Sequence, residues 1–180
     1  MIIFLGIAGS GKSVQSRRLS TALGCEYISV GALLRKNTNL YDKQKMAEGE
    51  LLDDNLVIDL VAKEIKNIPR GQEFIIDGFP RTLAQTKWIV NESNANPIKV
   101  IHITLDPSEV IKRLKLRNRQ DDSIEAIRRR IDEYNKFIGP VLEEFKIKDV
   151  NVYGVDGSKG LEEVHNQIIE DIKMNEESRT

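Results

Sequence analysis

The sequence has little cysteine and almost no net charge, and it has no long apolar run. Its one cysteine, Cys25, cannot form an internal disulfide and is typical of a reducing compartment. The net charge of −1, from 27 basic and 28 acidic side chains, argues against a general binder of nucleic acid or membranes. No apolar run approaches the ~20 residues of a membrane span. The first predicted strand begins next to Met1, so we expect no signal peptide and a cytoplasmic location.

A glycine-rich motif is present near the amino terminus, where residues 6–13 read GIAGSGKS. This G-x-x-x-x-G-K-[ST] pattern predicts a loop whose backbone N–H groups surround phosphate oxygens. The helix-like stretch that follows would add the positive end of its dipole. Lys12 supplies a cation for the outer phosphates and Ser13 a hydroxyl for Mg²⁺. An apolar run precedes the motif, and this context disfavours the alternative of a glycine-rich turn with a stray lysine.

Short apolar runs alternate with helix-like stretches, which predicts an α/β fold with a parallel sheet covered by helices on both faces. The predicted strands are residues 2–5, 26–29, 73–77, 99–105 and 151–155. The predicted helices are residues 12–23, 31–37, 53–67, 82–91, 107–117, 123–146 and 160–173. Residues 30–60 contain consecutive helices without a strand, and residues 117–122 form a short charged break, so we expect both segments to move.

A second block follows the third predicted strand, where residues 77–85 read DGFPRTLAQ. Ligands gather at the carboxyl ends of parallel strands, so Asp77 and Lys12 are expected to share a cleft. A carboxylate there can hold Mg²⁺ through water, although a helix cap is the alternative. Gly78 and Pro80 predict a tight connection that presents Arg81, whose guanidinium suits bidentate contact with phosphate.

Basic side chains are concentrated between residues 112 and 130. A solvated face is the general expectation for such a run, but helical geometry separates its members. In the helix from residue 123, Arg130 lies roughly 60° from the centre of the apolar stripe and Arg129 roughly 160°. Arg130 is therefore predicted to point inward, towards an anionic partner, and Arg129 to point into solvent. The basic residues are Lys112, Arg113, Lys115, Arg117, Arg119, Arg128, Arg129 and Arg130.

The two histidines are not predicted to be ligands. His102 lies inside an apolar strand and is expected to be a hydrogen-bonded core residue. His165 lies in the last predicted helix and is expected at its surface.

Together these blocks resemble the adenylate kinase family of nucleoside monophosphate kinases over almost the whole chain. The most specific element is DGFPRT with Gln85, and family patterns also occur in Gly31-x-Leu33-Leu34-Arg35, Gly49-x-Leu51-Leu52 and Arg119-x-Asp121-Asp122. The resemblance implies a P-loop NTPase-like fold, with a five-stranded parallel sheet flanked by helices. It also implies a helical insert that binds the monophosphate (residues 30–60) and a very short lid (residues 113–122). The core would comprise residues 1–29, 61–112 and 123–180.

The resemblance also implies roles for matching residues. The phosphates of ATP would be bound by Gly9, Ser10, Gly11, Lys12, Ser13 and Val14, and its adenine by Arg113 and the backbone near Lys159. AMP would be bound by Val30, Gly31, Arg35, Leu52, Val57, Gly78, Arg81 and Gln85. The catalytic cations would be Lys12, Arg81, Arg117, Arg119 and Arg130. Among them, Arg117 would also contact ATP, and Arg119 and Arg130 would also contact AMP. Ser13 and Asp77 would hold Mg²⁺, partly through water, and no zinc is expected.

Three departures from the family pattern bear on the acceptor and the lid. Val30 replaces a threonine whose hydroxyl would face the acceptor base, and Ala32 replaces an aspartate near the acceptor phosphate. Only Asn118 separates Arg117 from Arg119, so the lid is shorter than the short-lid form of the family.

The implied reaction is reversible, Mg²⁺-dependent transfer of the terminal phosphate of ATP to AMP, which yields two ADP. Gln85 favours AMP, because an amide can pair with the donor–acceptor edge of adenine. A kinase for UMP or CMP and a nucleotide-binding regulator without turnover are the two alternatives. We expect a monomer that binds neither nucleic acid nor membranes.

Overall fold

The computed structural model describes residues 1–92, 98–117 and 122–177, with the side chains of residue 92 and residues 174–177 excepted. Within these residues, strands and helices alternate as the sequence predicts. The strands are β1 (Ile2–Gly6), β2 (Glu26–Ser29), β3 (Phe74–Asp77), β4 (Lys99–Thr104) and β5 (Asn151–Asp156). The helices are α1 (Lys12–Leu23), α2 (Val30–Asn37), α3 (Leu40–Ala47), α4 (Asp54–Lys66), α5 (Leu83–Glu92), α6 (Pro107–Arg117), α7 (Ile124–Ile147) and α8 (Leu161–Glu177).

The five strands form one parallel sheet in the order β2-β3-β1-β4-β5. The central strand β1 is apolar throughout because both faces of the sheet are covered by helices. Ile3 and Leu5 pack into the cluster that includes α4 and α7, whereas Ile2 and Phe4 pack into the cluster that includes α1 and α8. Since all strands are parallel, their carboxyl ends meet at one edge of the sheet, and that edge carries the loops that matter below.

Side-chain caps determine where several helices begin. Asp53 Oδ1 accepts hydrogen bonds from the N–H groups of Asn55 and Leu56 at 3.0 and 3.1 Å. Asp106 Oδ1 accepts from the N–H of Ser108 at 2.8 Å. Each of these caps satisfies N–H groups that the first helical turn leaves without partners.

Three helices, α2, α3 and α4, separate β2 from β3. The sequence pattern did not resolve α3, and the reason is its surface: none of its residues is buried. Leu40 and Tyr41, at its start, are 86% and 66% exposed. Because α3 buries no apolar stripe, periodicity gives no sign of it, and Asn39 marks its start by accepting a hydrogen bond from the N–H of Asp42.

The structure confirms one histidine prediction and corrects the other. His102 Nε2 lies 2.6 Å from the hydroxyl of Tyr134, as expected of a hydrogen-bonded core residue. His165 is not at the surface: it is 8% exposed, and its Nδ1 lies 3.0 Å from Gln15 Oε1. The prediction was wrong because α8 packs against α1, so its buried stripe includes His165 beside Val164.

Both histidines are expected to make stability depend on pH between 7 and 5. Burial lowers the pKa of His102, and burial followed by repulsion from Arg18 lowers the pKa of His165, although Glu162 partly opposes this. The unfolded chain therefore binds protons that the native state does not, and the free energy of unfolding is expected to fall as the pH drops below about 6.5. Each histidine contributes at most about 1.4 kcal/mol per pH unit. Urea titrations at pH 7, 6 and 5 measure this slope.

A double variant, His102→Gln with His165→Asn, is the matched control. Each amide places a nitrogen where the imidazole nitrogen stood but does not titrate, so its slope over this range is expected to be smaller than that of the wild type. Identical slopes for the two proteins would contradict the assignment. Carboxylates whose pKa values are lowered in the native state, such as that of Asp122, lose their contribution only at lower pH.

Candidate active site

A cleft of about 340 Å³ lies at the carboxyl edge of the sheet. It is lined by the loop after β1, the start of α2, the segment before α4, the loop after β3, and side chains of α6 and α7. Most of the candidate site residues from the sequence analysis line this cleft. They are Gly9, Gly11, Lys12, Ser13, Val14, Val30, Gly31, Arg35, Leu52, Val57, Asp77, Gly78, Arg81, Gln85, Arg113, Arg117 and Arg130. Arg119 lies outside the described residues.

The loop after β1 has the backbone of a phosphate site. Gly9 and Gly11 have φ values of 88° and 95°, in the left-handed region that favours glycine. The N–H of Ser10 donates to the carbonyl of Ile7 at 3.1 Å and its side chain is buried, so Ser10 shapes the loop and does not line the cleft. Lys12 Nζ reaches back over the loop to the carbonyl of Ile7 at 3.2 Å. The loop, the lysine and the start of α1 thus converge as an anion site requires.

Lys12 is a strongly perturbed cation of the cleft. The pKa of Lys12 is lowered to about 8, chiefly by burial. Repulsion from three arginines also lowers this pKa, whereas the Asp77 carboxylate opposes the shift. The arginines are Arg81, Arg117 and Arg130, which are carried by three different elements. So much positive charge around one buried ammonium favours the binding of a polyanion, which relieves the repulsion.

Asp77 ends β3 and faces the phosphate loop. Its Oδ2 accepts a hydrogen bond from Ser13 Oγ at 2.5 Å and another from the Tyr27 hydroxyl at 2.9 Å. Its Oδ1 is buried and has no hydrogen-bond partner among the described residues. A carboxylate oxygen with no donor, beside a hydroxyl and a phosphate site, is the ligand chemistry that suits Mg²⁺, so these residues fit the ion. Sequence reasoning missed Tyr27, which is recognisable only once β2 is known to pair with β3.

The loop after β3 fixes Arg81 and Gln85. Gly78 has φ 85°, and its carbonyl accepts a hydrogen bond from Arg81 Nε at 2.9 Å. Gln85 Oε1 accepts from the N–H of Arg81, and its Nε2 donates to Asp54 Oδ1, both at 2.8 Å. Thr82 Oγ1 donates to the same oxygen of Asp54 at 2.8 Å. Asp54 was not nominated from the sequence, yet it determines which way the Gln85 amide points.

An apolar wall accompanies these polar groups. Val30, Leu52 and Val57 belong to the core cluster and also line the cleft. The Arg35 guanidinium lies over Gly31, at the start of its own helix. A β-carbon added at Gly31 would be 3.5 Å from Arg35 Nη1. An apolar surface beside an arginine suits a nucleoside with its phosphate.

Asp122 holds two of the predicted catalytic arginines. Its Oδ1 accepts from Arg117 Nη2 at 2.6 Å and from Arg130 Nη1 at 2.8 Å. Although burial raises the pKa of Asp122, these arginines hold it below its usual value. The Arg130 side chain is 14% exposed and that of Arg129 is 46% exposed, which confirms the orientation predicted from helical geometry.

Arg113 connects α6 to the loop after β5. Its Nη1 donates to the carbonyl of Gly157 at 2.9 Å, and its Nε to Glu109 at 3.0 Å. The Lys159 side chain pairs with Glu163 at 3.2 Å and does not line the cleft. The role of residue 159 beside the adenine of ATP therefore stays a prediction.

Two kinds of feature are absent from the described ranges (residues 1–92, 98–117 and 122–177). None of the helices there is both long and apolar enough to cross a membrane. No group of three or more His, Cys, Asp or Glu side chains within those ranges could hold a metal ion.

A phosphate loop on the central strand of a parallel sheet, under converging cations, defines a nucleotide-binding protein of the P-loop class. The family model of adenylate kinase matches residues 4–150. An adenylate kinase of Prochlorococcus marinus is 37% identical over 177 residues, covering 93% of this chain and 95% of the relative. Adenylate kinases of Archaeoglobus fulgidus and Thermus thermophilus are 32% and 31% identical and each cover 93% of this chain, and the alignments span 95% and 94% of those relatives. The chain therefore belongs to the adenylate kinase family and is a phosphotransferase, as its motifs predicted.

Proposed function

We propose that the enzyme transfers the terminal phosphoryl group of ATP to AMP, reversibly yielding two ADP, with Mg²⁺. The observation that carries this proposal is the order of the sheet. Gly31, Arg35 and Gln85 follow β2 and β3 on one side of β1, whereas Arg113 and the loop at 157 follow β4 and β5 on the other. The phosphate loop follows β1 between them, and this order supports a base site on each side of a shared phosphate site.

The chemistry needs positioning and charge more than acid–base groups. An oxygen of the AMP phosphate attacks the γ-phosphorus of ATP, and the bond from that phosphorus to the β,γ-bridging oxygen breaks. No general base is required, because the attacking phosphate is already an anion. Charge spreads over the equatorial oxygens in the transition state, and Lys12, Arg81, Arg117 and Arg130 donate hydrogen bonds to it.

Mg²⁺ would be held by Ser13 and Asp77, partly through water. When bound, it neutralises phosphate charge. Tyr27 and Ser13 orient the Asp77 carboxylate so that its free oxygen is available to the ion or its water.

We propose the same division of the chain that the resemblance implied. Residues 1–29, 61–112 and 123–180 form the core, residues 30–60 bind AMP, and residues 113–122, with Arg119, form a short lid. Closure of the two inserts would exclude water, which otherwise competes with AMP for the phosphoryl group. A monomer in the cytoplasm stays a prediction, and size-exclusion chromatography with light scattering tests the oligomeric state.

A panel of monophosphate acceptors tests the function. With Mg²⁺ and ATP, we expect kcat/KM for AMP to exceed that for UMP, CMP and GMP at least about tenfold, because Gln85 offers both a donor and an acceptor to adenine. Formation of the diphosphates can be followed by phosphorus NMR. Preference for UMP or CMP would instead support the pyrimidine kinase that Val30 suggests.

A bisubstrate inhibitor, two adenosines joined through five phosphates, provides a second test. It is expected to bind one per chain and to compete with both ATP and AMP. Protein that binds ATP but consumes no monophosphate would be a regulator without turnover, and the proposal would fail.

A further inference from the structure

A buried glutamine connects the phosphate-loop helix to the last helix. Gln15, one turn into α1, is 2% exposed. Its Nε2 donates to the carbonyl of Leu161 at 2.9 Å, and its Oε1 lies 3.0 Å from His165 Nδ1. Because the Leu161 carbonyl can only accept, the amide nitrogen must face it, and His165 must then donate from Nδ1 to the amide oxygen. Both ends of the amide are used, so the orientation of the side chain is fixed.

Leu161 is where α8 begins, directly after the loop formed by residues 157–160. The beginning of this loop is seated against the phosphate loop: a β-carbon at Gly157 would lie 2.8 Å from the carbonyl oxygen of Ser10. The N–H of Gly157 donates to Thr104 at 2.8 Å, and its carbonyl accepts from Arg113 at 2.9 Å. The loop is thus held at its start by β4 and Arg113, and at its end by the Gln15 amide.

A second polar contact between α1 and the start of α8, an ion pair, is weaker. Arg18 Nη2 pairs with Glu162 Oε2 at 2.7 Å, but the side chains are 30% and 74% exposed. Exposed ion pairs of this kind contribute little, because water and salt screen them. The buried amide is therefore the contact that determines where the loop ends relative to α1.

We propose that Gln15, itself oriented by His165, is a positioning residue for the base of ATP. It sets the distance between the phosphate loop and residues 157–160, so that base and phosphates can be bound at once. This rests on the proposed function, which puts the ATP base between Arg113 and that loop. Removal of the amide should weaken binding of the base and leave the binding of phosphate unchanged.

Binding of ATP and of inorganic tripolyphosphate to Gln15→Leu separates these effects. Calorimetry is expected to show a Kd for ATP about three- to tenfold higher than in the wild type, as for the loss of buried hydrogen bonds. The Kd for tripolyphosphate, which has no base, should stay within twofold. In turnover, KM for ATP should rise while KM for AMP and kcat stay within twofold, and discrimination between ATP and GTP should fall.

Two more variants keep the test decisive if the leucine variant does not fold. Gln15→Glu keeps the size of the side chain and an acceptor for His165 but cannot donate to Leu161, so it should show the same loss specific to ATP. His165→Asn keeps a donor for Gln15 and should bind ATP as the wild type does. Ser20→Ala is the matched control, because it removes one hydrogen bond of α1, to the carbonyl of Cys25 at 2.7 Å, away from α8. It should leave both Kd values unchanged.

Equal weakening of ATP and tripolyphosphate, or an unchanged Kd for ATP in both Gln15 variants, would overturn the proposal. Failure of the proposed function has a different signature, namely wild-type protein that binds ATP yet consumes no nucleoside monophosphate. In that case the ratio of the two affinities would still decide the role of Gln15.

Discussion

The Arg81→Ala variant is expected to lose phosphoryl transfer by a factor of about 10³ or more while its Kd for ATP changes only a few-fold. Arg81 is carried by the short connection after β3 and is oriented by the carbonyl of Gly78 and by Gln85. In the proposed reaction its guanidinium contacts the acceptor phosphate and the charge that develops during transfer. Single-turnover rates with saturating AMP, together with calorimetry for ATP, measure the two quantities separately.

Arg129→Ala is the matched control for Arg81. Arg129 lies on α7 beside Arg130, but it is 46% exposed and pairs with Glu48 and Glu50. Removal of this arginine should leave the transfer rate within about twofold. Full activity in Arg81→Ala would refute the role assigned to Arg81, and an equal loss in both variants would point to a general effect of lost positive charge.

Replacing Lys12 by methionine is expected to have two opposite effects. Transfer should fall by about 10³-fold or more, which corresponds to about 4 kcal/mol of lost transition-state stabilisation. The free energy of unfolding without nucleotide should rise by about 1–3 kcal/mol at pH 7. The sign follows from the pKa of Lys12, which is lowered from 10.5 to about 8: the native state disfavours the ammonium that the unfolded chain carries. A methionine of similar length removes that charge and keeps the packing.

Urea denaturation and transfer assays on the same preparation test both effects. Lys43→Met, on the exposed face of α3, is the control and should change neither quantity. A Lys12→Met protein that is less stable than the wild type would show that the ammonium is not under the repulsion described here. A variant that retained transfer would remove Lys12 from the catalytic set.

The fold and most of the cleft could be predicted because their causes are local. The apolar strands reflect burial on both faces, the phosphate loop is one uninterrupted motif, and Asp53 and Asp106 cap helices within three residues of themselves. The inward orientation of Arg130 followed from its angle to one apolar stripe. Each of these predictions depends on one strand, loop or helix and requires no knowledge of its neighbours in the fold.

The residues that escaped prediction act between elements. Tyr27 reaches Asp77 because β2 pairs with β3, and Asp54 orients Gln85 because α4 packs against α5. His165 is buried because α8 covers α1. Sequence periodicity gives the face that an element buries but not the neighbour that covers it, so a polar contact between two elements has no signature in either one.

The shared carboxylate of Asp122 has a consequence for the end of each catalytic cycle. Arg117 and Arg130 share Asp122, an anion of the protein itself. When ADP departs, the two guanidinium groups can return to this resident counter-ion and need not be rehydrated. In the proposed reaction, product release is therefore an exchange of one anion for another, and the Asp122 carboxylate is the replacement.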